Sequence, residues 1–179
     1  MACEILVAGF GGQGVLFAGR FLANEALLRG KEVSWLPSYG PEMRGGTANC
    51  SVIVSDNPIG SPIISEPDIL IAMNLPSLDK YEDTVKKDGI IIVDSSLIER
   101  EVKRNDVFAH YIPATQLASD NELSGLANMI VLGFLVKVSG LIPYDNIKNT
   151  MTEIISAKKQ NLFSFNLKAI ELGYNYSNA

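Results

Sequence analysis

Glu4-Ile5-Leu6-Val7-Ala8-Gly9-Phe10-Gly11-Gly12-Gln13-Gly14-Val15 decides the fold. Glu4 to Ala8 is a short apolar run that ends in glycines, which suits a strand buried on both faces of a parallel sheet. Val15 to Arg29 carries Leu16, Ala23 and Leu27 at helical spacing and reads as a helix, with Gly30 as its C-terminal stop. Lys31 to Leu36 reads as the next strand. Strand, glycine turn, helix and strand in that order open a doubly wound α/β fold.

Further along, Pro37 to Gly46 is a polar loop, and Thr47 to Ser55 is a strand rich in β-branched residues. Asp56-Asn57-Pro58 signals a turn, and Ile59 to Ile64, broken by Gly60 and Pro62, is an edge strand or an extended loop. Asp68 to Met73, Gly89 to Val93 and Val107 to Ile112 are buried-type strands, with a helix over Leu75 to Lys87 between the first two. Helices over Ser124 to Ser139, Tyr144 to Ile155 and Ser164 to Leu172 follow, the last with Gly173 as its cap. The expectation is a mostly parallel, Rossmann-like sheet with helices on both faces, a helical C-terminal part and one domain over residues 1–179.

Composition excludes several function classes. The chain has 179 residues, 47% of them hydrophobic and 20% charged, an ordinary globular mix. A net charge of −5 without a dense Lys/Arg cluster argues against nucleic-acid binding. Two cysteines, Cys3 and Cys50, and one histidine, His110, are too few for a zinc site or an iron–sulfur cluster held by this chain alone. No apolar run is long enough to span a bilayer. The first residues carry no basic leader, so a cytoplasmic location is expected.

Gly9-x-Gly11-x-x-Gly14, after a strand and opening a helix, matches the dinucleotide fingerprint, in which glycines admit a pyrophosphate to the helix N-terminus. The partner of that motif is an acid at the end of the second strand that holds the ribose hydroxyls. Here the strand ends in Trp35-Leu36-Pro37-Ser38, and the next acid is Glu42, inside the loop. A freestanding nucleotide-binding protein is therefore the alternative reading. A scaffold whose glycines only make turns is a third.

Three segments carry a resemblance: Gly9-Phe10-Gly11-Gly12-Gln13-Gly14-Val15, Tyr39-Gly40-Pro41-Glu42-Met43-Arg44-Gly45-Gly46, and Asn128-Met129-Ile130-Val131-Leu132-Gly133. In this order and spacing the chain resembles the gamma subunits of the 2-oxoacid:ferredoxin (acceptor) oxidoreductases, from about Ile5 to about Leu172. The resemblance implies a subunit of an enzyme that converts a 2-oxoacid and coenzyme A to acyl-CoA, carbon dioxide and reduced acceptor. It implies thiamine diphosphate, magnesium and iron–sulfur clusters in partner alpha, beta and ferredoxin-like delta components. It also implies a gamma chain that holds none of these, is inactive alone, packs on alpha and lies near coenzyme A. A separate short chain favours the 2-oxoglutarate type over the fused pyruvate type, with pyruvate, branched-chain and indolepyruvate enzymes as the alternatives. An isolated gamma chain is expected to self-associate through the apolar surface its partners would cover.

The candidate cofactor-contacting residues are Gly11, Gly12, Gln13 and Gly14 on the first loop, Tyr39, Glu42, Arg44, Gly45 and Gly46 on the second, and Asn128. No residue is assigned as catalytic. The Arg44 guanidinium either grips a phosphate or partner carboxylate, or pairs with Glu42 and stiffens the loop. Tyr39 supplies a hydroxyl or stacking face, or anchors the loop. Gln13 meets a ligand or a neighbouring loop, or caps the helix. Asn128, mid-helix and so unfavourable without a partner, is expected to make a specific hydrogen bond, as a cap or across to the glycine loop. His110, among apolar neighbours, reads as structural. Adjacent first and second strands would merge both loops into one site at the carboxyl edge of the sheet, where doubly wound folds bind ligands.

Overall fold

The structure is a computed structural model that describes residues 2–38, 47–155 and 160–177. Its strands are β1 (Ala2–Phe10), β2 (Glu32–Ser38), β3 (Thr47–Ser55), β4 (Ile69–Ala72), β5 (Ile90–Asp94) and β6 (Phe108–Ile112). Its helices are α1 (Val15–Leu28), α2 (Leu75–Tyr81), α3 (Ala114–Asp120), α4 (Ala127–Ser139), α5 (Asn146–Ile154) and α6 (Gln160–Asn175). The strands form one sheet in the order β2-β3-β1-β4-β5-β6. The β1–β4, β4–β5 and β5–β6 pairs are parallel, whereas β3 runs antiparallel to both β1 and β2. Five strands thus point one way and β3 points back.

The insertion of β3 corrects one expectation: the first two strands are not neighbours. Ser38 and Thr47 are joined only by residues 39–46, too short for a parallel crossover but ample for an antiparallel return. The alternation in β3 fits this role, since Cys50, Val52 and Val54 enter the core while Asn49 and Ser51 stay half-buried. Between β3 and β4, Ile59 to Ile64 forms no strand, the second of the two readings for that segment.

Successive side chains of the central strands enter two cores. Ile5 and Val7 of β1 join Ile69, Ile71 and Ile92 under α1 and the C-terminal helices. Leu6 joins Leu70, Ala72, Ile91 and Val93 under Leu78, Val85 and Ile98 on the other face. At the end of α1, Gly30 takes φ 71°, and the Gly30 and Lys31 amides donate to Leu27 and Ala26 carbonyls, closing the helix as expected. The sole tryptophan, Trp35, lies on the edge strand β2 with its indole beside Gly19 and the Cys50 thiol, and it remains 39% exposed. No helix among the described residues is long and apolar enough to cross a membrane.

Several helix ends depart from the sequence pattern: α4 begins at Ala127 and not Ser124, α6 runs Gln160–Asn175 and not Ser164 to Leu172, and two others have a clear physical cause. The helix from Leu75 stops at Tyr81 and passes through a 3₁₀ turn, Glu82–Thr84, instead of reaching Lys87. Val85 turns extended to enter the second core, and Arg104 donates to the Glu82 and Val85 carbonyls at the end of the turn. Gly173 does not cap α6; it lies within it, against α4. A Cβ built on Gly173 would overlap the Ile130 carbonyl oxygen, and one on Gly133 would overlap that of Ile170. The two helices cross backbone to backbone at these glycines. His110 stands edge-on to Phe134 at 6.2 Å, and burial pushes its pKa down.

Under α2, Glu82 is only 2% exposed and accepts from Arg100 Nη2 at 2.6 Å and Arg100 Nη1 at 3.1 Å. Burial alone would raise this carboxyl, but the Arg100 fork, the Lys103 amide and both cations hold it below the usual range. A depressed pKa contributes stability that is present above the unfolded-state value of about 4.3 and is lost as pH falls through the folded-state value. Arg100→Ala is expected to cost about 2 kcal/mol at pH 7, below the range for a fully buried pair because Lys103 Nζ stays 3.7 Å from Glu82. Urea midpoints should show that cost shrinking as pH falls through the carboxylate range, because Glu82 becomes neutral in the variant before it does in the wild type.

Candidate functional site

β1 and β4 are parallel neighbours, yet α1 leaves β1 toward one face and α2 leaves β4 toward the other. Their carboxyl ends therefore splay apart at a topological switch point, where open α/β sheets bind ligands. The glycine turn sits there. Gln13 holds it in shape: its Oε1 accepts from the Phe10 amide at 2.5 Å, and its Nε2 donates to the Met73 carbonyl at 2.9 Å. One side chain thus stitches the end of β1 to the end of β4. Gly9 makes room for it, since a Cβ there would lie 2.7 Å from Gln13 Oε1.

Gly14 takes φ 73° as the N-cap of α1, and its carbonyl accepts from Ala18 N at 3.0 Å and from Asn128 Nδ2 at 3.1 Å. The hydrogen bond expected of Asn128 is thus made, across 114 residues of sequence, to the glycine loop. Asn128 is 4% exposed, and its Oδ1 has no partner. Gln13 and Asn128 act here as braces of the loop. The glycine at position 12, with φ 96° and open space where a Cβ would stand, is the part of the turn that faces outward.

Beside the turn opens a cleft of about 330 Å³. Gly12, Gln13, Met73, Leu97, Thr115 and Ser124 are among the residues that line it. None of the described residues that line it is charged. Behind Thr115 lies Asp94, fully buried at the end of β5, whose Oδ2 accepts the Thr115 hydroxyl at 2.6 Å and the Thr115 amide at 3.2 Å. Its Oδ1 accepts from Ser96 N at 3.1 Å. The sequence reading passed over Asp94, Thr115 and helix α3. The signal was an acid closing the apolar run Ile90-Ile91-Ile92-Val93-Asp94, at the edge where ligands sit.

Tyr39, Glu42, Arg44, Gly45 and Gly46 lie outside the described residues. Their flanks are placed: Ser38 pairs with Asn49, and Thr47 pairs with Phe10, the last residue before the glycine turn. Both ends of the segment are therefore anchored on the edge that carries the cleft. The β3 insertion also weakens the dinucleotide reading, because it moves the end of β2 to about 10 Å from β1 instead of about 5 Å. Neither cysteine is a nucleophile: burial pushes the Cys50 thiol up to about 12 and the Cys3 thiol up to about 11.

Comparison with known proteins agrees with this architecture. Residues 4–176 match the family model described as pyruvate ferredoxin/flavodoxin oxidoreductase. The chain is 39% identical over 173 residues to the ketoisovalerate oxidoreductase subunit VorA of Methanothermobacter thermautotrophicus, covering 95% of this chain and 35% of that protein. It is 35% identical over 170 residues to the 2-oxoglutarate synthase subunit KorC of Methanocaldococcus jannaschii, covering 92% of this chain and 91% of that one. The chain thus spans about a third of the first relative and nine tenths of the second. Among solved structures, the gamma subunit of a keto/oxoacid ferredoxin oxidoreductase from Geobacter sulfurreducens superposes with a TM-score of 0.81 at 28% identity, over 96% of both chains. A 2-oxoglutarate:ferredoxin oxidoreductase from Magnetococcus marinus, with 2-oxoglutarate, coenzyme A and succinyl-CoA bound, superposes at 0.85 and 25% identity over 99% of this chain and 32% of its own. On the match over nearly its whole length, the chain belongs to the pyruvate ferredoxin/flavodoxin oxidoreductase family.

Proposed function

We propose that this chain is the gamma subunit of a 2-oxoacid:ferredoxin oxidoreductase, in which a 2-oxoacid and coenzyme A become acyl-CoA and carbon dioxide while electrons pass to ferredoxin. The observation that carries the reading is the coextensive match to separate 2-oxoglutarate synthase subunits, at 35% identity over nine tenths of both chains. It favours 2-oxoglutarate as the substrate. The higher identity to the ketoisovalerate subunit favours a branched-chain 2-oxoacid as the second reading.

In this reading alpha and beta subunits hold thiamine diphosphate and magnesium, a ferredoxin-like delta subunit or its equivalent carries iron–sulfur clusters, and the assembly works in the cytoplasm. The gamma chain contributes its carboxyl edge, where the glycine turn, the cleft and the anchored ends of residues 39–46 meet, as the surface turned toward coenzyme A. Chemistry supports the division: the turn is braced from within by Gln13 and Asn128, which suits a binding surface, and both described thiols are held protonated.

The test is reconstitution. The complete complex is expected to reduce a viologen dye with 2-oxoglutarate and coenzyme A, and the complex without this chain should lose that activity. Full activity without it overturns the reading. Faster turnover with a branched-chain 2-oxoacid selects the second substrate.

A further inference from the structure

We propose that the outer border of β6 is a docking edge for a second copy of this chain, which adds its own β6 in antiparallel register about a two-fold axis at His110. The pairing makes a weak dimer through main-chain bonds, independent of the partner subunits in the reading above.

The backbone sets the register. The Phe108 amide donates inward to the Gly89 carbonyl at 2.8 Å, and the Ile112 carbonyl accepts inward from the Ser95 amide at 3.0 Å. Main-chain groups alternate sides along a strand. Phe108, His110 and Ile112 therefore serve β5, while the N–H and C=O of Ala109 and Tyr111 point to the open border. β6 ends the strand order, and among the described residues no further strand takes up those groups.

The two borders of the sheet are guarded differently. β2 carries Glu32 and Pro37 and has the Lys31–Asp56 ion pair beside it, devices that discourage strand addition. β6 reads Phe108-Ala109-His110-Tyr111-Ile112, with no proline and no fixed charge, and its register with β5 runs unbroken by a bulge. Burial pushes the His110 pKa down, which keeps the ring neutral at pH 7. Phe108 is 59% exposed.

A second copy fits this edge because the outward residues are symmetric about His110. Ala109 of one copy lies opposite Tyr111 of the other, and each such pair exchanges N–H···O=C bonds in both directions. The same register sets Phe108 of one copy against Ile112 of the other, on the face where His110 meets Phe134, and takes an exposed ring out of water. A strand without fixed charge meets no like charge in its own copy. An edge of 5 residues buries less than the roughly 1,200 Å² of a standard interface, so a Kd of about 10–100 µM is expected.

Sedimentation equilibrium of the full chain across that range is expected to show the dimer. Hydrogen exchange followed by NMR should protect the Ala109 and Tyr111 amides only as concentration rises. The Phe108, His110 and Ile112 amides, bonded within the chain, should stay protected throughout. Ala109→Pro removes an outward donor and Phe108→Lys puts a charge on the edge, and each is expected to weaken the dimer about tenfold or more. Circular dichroism checks the fold, and Phe108→Lys, at an exposed site, carries the test if Ala109→Pro does not fold. Leu36→Lys, at an exposed apolar site on the β2 border, should leave the dimer unchanged. A chain that stays monomeric about tenfold above that range overturns the inference. So does a dimer that both β6 variants leave intact, or one that Leu36→Lys abolishes. Protection of the two outward amides that appears only when a partner subunit is added also overturns it.

Discussion

Gly133→Ala is expected to destabilise the protein by about 3 kcal/mol or more, and Gly173→Ala by a similar amount. In each case one methyl group meets not a flexible side chain but the carbonyl of the facing helix, Ile170 for Gly133 and Ile130 for Gly173. Neither helix relieves the overlap by rotating a side chain. They must separate, and α4 carries nine buried residues from Asn128 to Val136 whose packing depends on the close crossing. For a chain of this size the midpoint of thermal unfolding should fall by roughly 10 °C. Gly60→Ala is the control, since a Cβ there meets nothing within 4 Å, and it should stay within about 0.5 kcal/mol of wild type. The double variant should lose less than the sum, because helices parted by the first methyl group have room for the second. Strict additivity would mean that the two glycines do not share one contact.

Gly14→Ala should cost about 3 kcal/mol by another route. The residue sits at φ 73°, which penalises any side chain by about 1 kcal/mol. The new Cβ would also lie 2.6 Å from Asn128 Cγ and overlap the amide nitrogen that holds the loop. Pushing Asn128 aside breaks its bond to the Gly14 carbonyl and leaves a buried amide unpaired, worth about 2 kcal/mol more. A double-mutant cycle separates the two parts. In an Asn128→Ala background the Gly14→Ala step should fall to the backbone penalty alone. An unchanged step would show that Asn128 is not what the glycine accommodates.

Much of this was legible in the sequence because it was local. The glycine turn, helix α1 with its Gly30 ending and the buried parallel strands follow from apolar period and glycine position, which depend on near neighbours. Asn128 was legible for a related reason, although it stands in the first turn of α4 and not in mid-helix as expected: a buried amide in an apolar helix is costly without a partner, so a partner was required, although not its identity. What escaped depends on distant residues. The place of β3 between β1 and β2 is set by the brevity of residues 39–46, a property of a connection and not of a strand. Gly173 looked like a helix end because glycine usually marks one, and only the crossing with α4 reveals that it is there for closeness. Asp94 was passed over, one residue beyond the expected strand Gly89 to Val93. Its significance appeared when Thr115, 21 residues on, came back to meet it. α3 is short, and its Thr115 amide donates to the distant Asp94 carboxyl in place of a cap from a neighbouring residue, so its sequence carries little helical signal.

The position of Trp35 has a practical consequence. The chain has one indole, and it stands half out of the fold on the unpaired border strand of the sheet, close to the anchored ends of residues 39–46 and against the Cys50 sulfur. The molecule therefore carries its own optical reporter at a border where, among the described residues, no further strand pairs. A companion subunit that covers this border will shift the emission to the blue and shield the indole from iodide, so assembly becomes visible in a cuvette without labels. A ligand that stops at the cleft, on the far side of β1, will leave the colour unchanged.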